Sequence, residues 1–259
     1  RRSCKFGCIY YLTYTAYDGK CARLSLATSL DMNKWDKLGD MLPDWDAETA
    51  QSFIVPWDDA QQTDEAKKHW HKAGGIFPEL INNELQMIFG DRHLWWANSK
   101  DGKTWKAEVT PWLSKRSDHF DCAHVEMGPP PIKTKEGWLV LYHGIDKKAV
   151  YRLGYLLLDL ENPQKILKRS KNPIFEPTMS YEISGLVDIL PGGLNSMEQM
   201  EKEELQTFID KAKNDHTIPS VIFCNGAILK DNVLRIYYGA GDSVICTATA
   251  KLKDILDSD

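Results

Sequence analysis

No apolar run in this chain of 259 residues approaches the ~20 that a membrane-crossing helix needs, so nothing in it reads as a membrane span. Basic charge is not in excess either. Lys and Arg number 32 against 37 Asp and Glu, a net −5 with both signs interspersed, which leaves no basic stripe for nucleic acid or an anionic membrane. The six cysteines (Cys4, Cys8, Cys21, Cys122, Cys224, Cys246) contain no Cys-x-x-Cys pair, and a chain of this size needs no disulfide framework. They read as reduced thiols, which points to a cytoplasmic protein. His69, His71, His93, His119, His124 and His143 show no His-Glu-x-x-His or His-x-x-x-His spacing, and His69-x-His71 alone is a weak signal, so no catalytic metal is expected. The phosphate-cradling Gly-x-x-x-x-Gly-Lys-Ser/Thr, the dinucleotide Gly-x-Gly-x-x-Gly and the Gly-x-Ser-x-Gly elbow are also missing, which argues against nucleotide and acyl-transfer chemistry. Initiator Met and signal segment are absent too. The chain starts Arg1-Arg2, as expected of a processed or N-terminally shortened sequence.

What is present is aromatic. Nine Trp and ten Tyr stand among many acidic and amide side chains, a mixture that stacks on sugar rings and hydrogen-bonds their hydroxyls, although Trp and Tyr also favour strands. One unit is written four times, as a hairpin with an Asp in or near its turn. The copies are Ile9 to Thr15 with Arg23 to Ser29, Glu84 to Phe89 with Leu94 to Ser99, Trp138 to Tyr142 with Tyr151 to Leu157, and Val233 to Tyr238 with Val244 to Ala250. Each is too apolar to stand alone. Repeated all-β units of this size point to a β-propeller, and a β-sandwich is the alternative. The segment 194–216 breaks the pattern: Met197, Met200, Leu205, Phe208 and Ile209 recur at helical spacing, which predicts one inserted surface helix within a single domain spanning 1–259.

The stretch from Asp121 to Asp146 is the candidate for chemistry. Pro129, Pro130 and Pro131 hold the backbone extended and present Glu126 from a stiff segment. If hairpin turns ring one end of a propeller channel, Asp18, Asp91, Asp146 and Asp242 converge there, and Asp91, its neighbour Arg92, and Asp242 are the expected substrate contacts; Asp is also the commonest turn residue. Carboxylates in an aromatic-lined channel are the equipment of glycoside cleavage.

Several of these stretches, in order, resemble glycoside hydrolase family 130, the β-mannosidases and β-mannoside phosphorylases. They include Tyr10 to Asp18, Ile76-Phe77-Pro78-Glu79, Gly128 to Thr134, Trp138 to Gly144, Tyr151 to Gly154, Pro173 to Pro177, Tyr181-Glu182 and Tyr237 to Asp242. The resemblance implies a five-bladed β-propeller, with about four blades in this chain, acting with inversion on a mannose-containing oligosaccharide; homo-oligomers are possible. It adds His124, Lys133, His143 and Tyr151 to Asp18, Asp91, Arg92 and Asp242 as expected substrate contacts. Phosphorylases hold phosphate with a basic set. With Glu126 where a basic residue would meet phosphate, the segment resembles the hydrolase branch, an inverting β-1,2-mannosidase with Glu126 as base and Glu182 as second carboxylate. No cofactor is expected, inorganic phosphate entering only if the enzyme is a phosphorylase. Arg2 aligns with the Arg of the family's Asp-Pro-Arg motif, which places the acid Asp, and a fifth blade, ahead of residue 1; a lost blade and acid would instead give a non-catalytic mannoside-binding propeller. A protein-binding scaffold is the third expectation.

Overall fold

The computed structural model describes residues 2–6, 9–18, 21–45, 70–183, 220–258 and the isolated positions 201, 203, 204 and 207. The predicted helix at 194–216 lies outside these residues, save for those four positions, of which 203, 204 and 207 are helical. The architecture is all-β. Strands β1 (Arg2–Phe6), β2 (Ile9–Tyr17), β3 (Ala22–Ser29) and β4 (Asp36–Asp40) form the first antiparallel sheet. A second is made by β5 (Gly74–Ile76), β6 (Leu85–Phe89), β7 (Trp95–Ser99) and β8 (Lys106–Ala107). The third hydrogen-bonded sheet is two antiparallel units. One contains β9 (His124–Met127), β10 (Ile132–Lys133), β11 (Trp138–Ile145), β12 (Val150–Leu158) and β13 (Ile166–Arg169). The other contains β14 (Ser220–Lys230), β15 (Val233–Ala240) and β16 (Val244–Lys251), followed by the short helix α1 (Leu252–Leu256). A short parallel pairing of Val150 and Tyr151 with Ser220 and Val221 joins them. The sheets are open, and no closed ring forms among the described residues.

All four repeated hairpins are present, as β2–β3, β6–β7, β11–β12 and β15–β16. Between β14 and β15 the chain reverses through Asp231-Asn232, both at positive φ (52° and 60°), the backbone that a two-residue hairpin turn requires and that Asp and Asn tolerate. After the second strand of three hairpins an Asp caps the next turn: Asp31 accepts from the Asn33 and Lys34 amides, Asp101 from Lys103 and Thr104, Asp159 from Glu161 and Asn162. These bonds hold the Asp101 carboxyl down at about 2. They explain why the residue recurs.

Two-residue periodicity stacks the units. Along β6 and β7, Met87, Phe89 and Trp95 face the first sheet and pack with Leu24, Leu26 and Trp45, while Ile88 and Trp96 face the third unit and pack with Val125, Met127, Trp138 and Tyr142. Strand β11 repeats the division, since Leu139 and Leu141 turn to the fourth unit and meet Ile222, Leu234 and Tyr238. Trp95, Trp138 and Tyr142 are fully buried, each contributing on the order of 2–3 kcal/mol of burial. The proline run divides β9 from β10: without amide hydrogens Pro129, Pro130 and Pro131 cannot extend the ladder, and both strands instead pair with β11 on either side of the break.

Candidate functional site

Four units contribute to a cleft of about 230 Å³, lined by Thr13, Tyr14 and Thr15 of β2, Leu24 of β3, Ala73 and Gly74 at β5, Glu126 of β9, and Phe223 and Asn225 of β14. Val125 and Met127 are committed to the core, so alternation turns Glu126 the other way, and it reaches the cleft although only 2% exposed.

Backbone hydrogen bonds fix what stands beside it. The Met127 amide donates to Gly90 O (2.9 Å) and the Val125 amide to Arg92 O (3.5 Å), which brackets Asp91 against β9. The Gly90 amide in turn donates to Ala73 O (2.9 Å) and Lys72 O (3.1 Å). Three distant segments are therefore clamped at one point. Lys72 Nζ lies 3.6 Å from Asp91 Oδ2 and 3.5 Å from Glu126 Oε1, while Trp70 Nε1 donates to Asp91 Oδ2 at 2.8 Å.

Burial opposes the Asp91 charge, but Lys72, Arg92 and the Trp70 indole outweigh it and hold the carboxyl below its usual range. His124 goes the opposite way: burial, with help from the Lys72 and Arg92 cations, pushes it down to about 3 despite Asp91 nearby, so the imidazole is neutral at pH 7. The cluster thus offers two cations, two carboxylates and a neutral imidazole, able to hold hydroxyls and an anion together. Among the described residues no group of three or more His, Cys, Asp or Glu is arranged to hold a metal ion.

Of the residues expected from sequence, Glu126, Asp91, Arg92 and His124 come together. His143 and Tyr151 stand behind the cleft wall. The His143 ring stacks on Phe223 (centroids 4.2 Å apart), its Nε2 accepts from the Cys224 amide at 2.8 Å, and Tyr151 packs against the same Phe223 at 6.4 Å. Because Nε2 accepts, a neutral His143 carries its proton on Nδ1.

The others are not brought there. Glu182 is buried with its carboxylate committed: Oε2 accepts from the Thr178 and Met179 amides (2.7 and 2.8 Å) and Oε1 from Tyr238 Oη (2.9 Å), so it caps a single 3-10 turn, Ser180–Glu182. Lys133 is exposed, 2.6 Å from Glu79 and over the Trp138 ring. Asp18 accepts from the Cys21 amide at 2.8 Å, and Asp146 from the Lys148 and Val150 amides and from Arg152. Asp242 sits exposed at φ +54° in the β15–β16 turn. Of the four turn aspartates, Asp91 is the one buried beside the cleft. Sequence reasoning missed Lys72, Trp70, Phe223 and Asn225. A signal existed for the first two, since Trp70-His71-Lys72 lies just ahead of Ile76-Phe77-Pro78-Glu79.

The sequence profile of glycoside hydrolase family 130, described as beta-1,4-mannooligosaccharide phosphorylase, matches residues 2–197. The chain belongs to glycoside hydrolase family 130. A family relative, the 1,2-beta-oligomannan phosphorylase of Thermoanaerobacter sp. (strain X514), is 32% identical over 98% of this chain and 68% of its own length. The beta-1,2-mannobiose phosphorylase of the same organism is 28% identical, covering 71% of this chain and 51% of its own. Among solved family 130 structures, the beta-1,2-mannobiose phosphorylase from Listeria innocua in complex with beta-1,2-mannobiose superimposes with a TM-score of 0.70 at 26% identity, over 98% of this chain and 58% of that one. The chain thus spans between about half and two thirds of these proteins.

Proposed function

We propose that this chain carries the cleft of a β-mannoside phosphorylase acting on β-1,2-linked mannooligosaccharides, with inorganic phosphate as co-substrate. The observation that carries the reading is the 32% identity, over 98% of the chain, to an oligomannan phosphorylase. In this reaction a phosphate oxygen attacks the anomeric carbon from the face opposite the glycosidic oxygen. The bond to the leaving sugar breaks, its oxygen takes up one proton, and the β-linkage becomes α-mannose 1-phosphate. In this reading the four units are blades of a five-bladed propeller in one domain over 1–259, and the cleft is the mouth of its channel. Cys21, Cys122, Cys224 and Cys246 as thiols rather than disulfides support a cytoplasmic setting.

In sequence Glu126 stands where a basic residue would meet phosphate, but in the fold the carboxylate is not isolated: Lys72 stands 3.5 Å away and Arg92 is buried beside Asp91. Two cations match the two carboxylates, so Glu126 no longer speaks against an anionic co-substrate. The test is incubation with β-1,2-mannobiose in the presence and absence of phosphate. Mannose 1-phosphate formed only with phosphate is the expected result. Free mannose released without phosphate would return the hydrolytic reading, and binding without turnover the non-catalytic one.

A further inference from the structure

Strand β2 runs outward along the second sheet, and its odd-numbered face records the path. Tyr11 is buried in the core between the first two sheets; Thr13 is buried and donates to Gly74 O at 2.7 Å; Thr15 lines the cleft and is exposed; Tyr17, the last residue of the strand, is 60% exposed. Successive residues of that face lie about 7 Å apart, so Tyr17 stands one step beyond the cleft wall.

Its ring is held. The Tyr17 backbone pairs with Ala22, whose carbonyl accepts from the His71 amide at 3.1 Å, and the side chain meets Trp70 nearly edge-on, with centroids 6.2 Å apart at 69°. Trp70 is itself anchored by its bond to Asp91. A flat, mostly exposed aromatic ring braced against a buried one, at the lip of a cleft containing carboxylates, is preorganised to stack on the C–H face of a sugar ring.

We propose that Tyr17 forms a stacking subsite for a mannosyl residue of the oligosaccharide beyond the one held at Glu126. This rests on the mannoside reading above and adds that the cleft reads substrate length through an aromatic lip.

The experiment compares wild type, Tyr17→Ala, Tyr17→Leu and Tyr17→Phe by calorimetric titration with β-1,2-mannobiose and with longer β-1,2-mannooligosaccharides, thermal unfolding serving as the check on folding. Loss of the ring in the Ala and Leu variants is expected to weaken binding of the longer sugars by about five- to tenfold, while Phe, which keeps the flat face, binds as wild type does. Equal affinities for longer sugars in wild type and the Ala or Leu variant overturn the proposal, as does a Phe variant that loses as much as Ala. Wild type that binds no mannooligosaccharide of any length overturns the mannoside reading itself, a result distinct from the other two.

Discussion

An ammonium within 3.6 Å of two largely buried carboxylates changes what both can do. Removing it in Lys72→Met leaves Asp91 and Glu126 facing each other's charge without their shared cation. Because the Lys72 side chain keeps some access to water (26%), the expected loss is about 1–3 kcal/mol, below that of a fully buried pair. Urea unfolding measures it, and the phosphate KM of the variant should rise if Lys72 also faces the anion. His124 gives a pH signature. Its folded value of about 3 lies under the ordinary histidine value of 6.5, so between those limits the unfolded chain binds a proton that the folded chain refuses. Stability therefore falls as pH drops from 6.5 towards 3 and is unaffected by this group above 6.5; His124→Asn should flatten that slope in unfolding measurements across pH 3 to 7. At this scale legibility was uneven. Glu126 and Asp91 were marked by the company they keep in sequence, but a lone Lys or Trp ahead of a short strand has no local signature of its tertiary partners. Nothing in Ser180-Tyr181-Glu182 reveals that a Tyr 56 residues away donates to Glu182.

The element that positions the site is the end of β6. Gly90 adopts φ +125°, bonds through its amide to the Lys72–Ala73 segment and receives the Met127 amide, so the residue after it must be Asp91 facing β9. A Cβ here would lie 2.2 Å from His93 O and 2.6 Å from the Trp95 ring, backbone and buried core that cannot yield. Gly90→Ala is expected to destabilise by more than about 3 kcal/mol and to abolish turnover together with it, read by the thermal unfolding midpoint and by mannose 1-phosphate release. The hairpins themselves were legible because strand alternation and turn chemistry are local. The function of their aspartates was not: a turn Asp that bonds amides two or three residues on looks the same in sequence as one that reaches a ligand, and only burial separates Asp91 from Asp18 and Asp146.

Across the whole molecule the units hold together face to face, and the first joint is riveted by Trp45. Its indole meets Trp95, Phe89 and His71 edge-on at centroid distances of 5.1, 5.2 and 5.8 Å, and Nε1 donates to Glu108 O at 2.9 Å. A residue just after β4 thus fills the space between two sheets and ties itself to the far end of the second. Stacking of the units could be inferred from their apolar content, but which aromatic bridges which pair depends on strand faces meeting in space, and Trp45 lies outside every repeated hairpin. Trp45→Ala removes ring contacts, a partly buried hydrogen bond and most of the filling of the joint, so a loss of about 3–5 kcal/mol is expected, with no collapse available to a frame of stiff strands. Ile245 supplies the contrast, since it is 87% exposed on β16 and touches none of the joints; Ile245→Thr should stay within about 0.5 kcal/mol of wild type. Chemical denaturation of both variants decides the point. Comparable losses would mean that stability does not reside in the sheet-to-sheet joints, and with it would go the account of how the segments bearing Lys72, Asp91 and Glu126 are kept in one place.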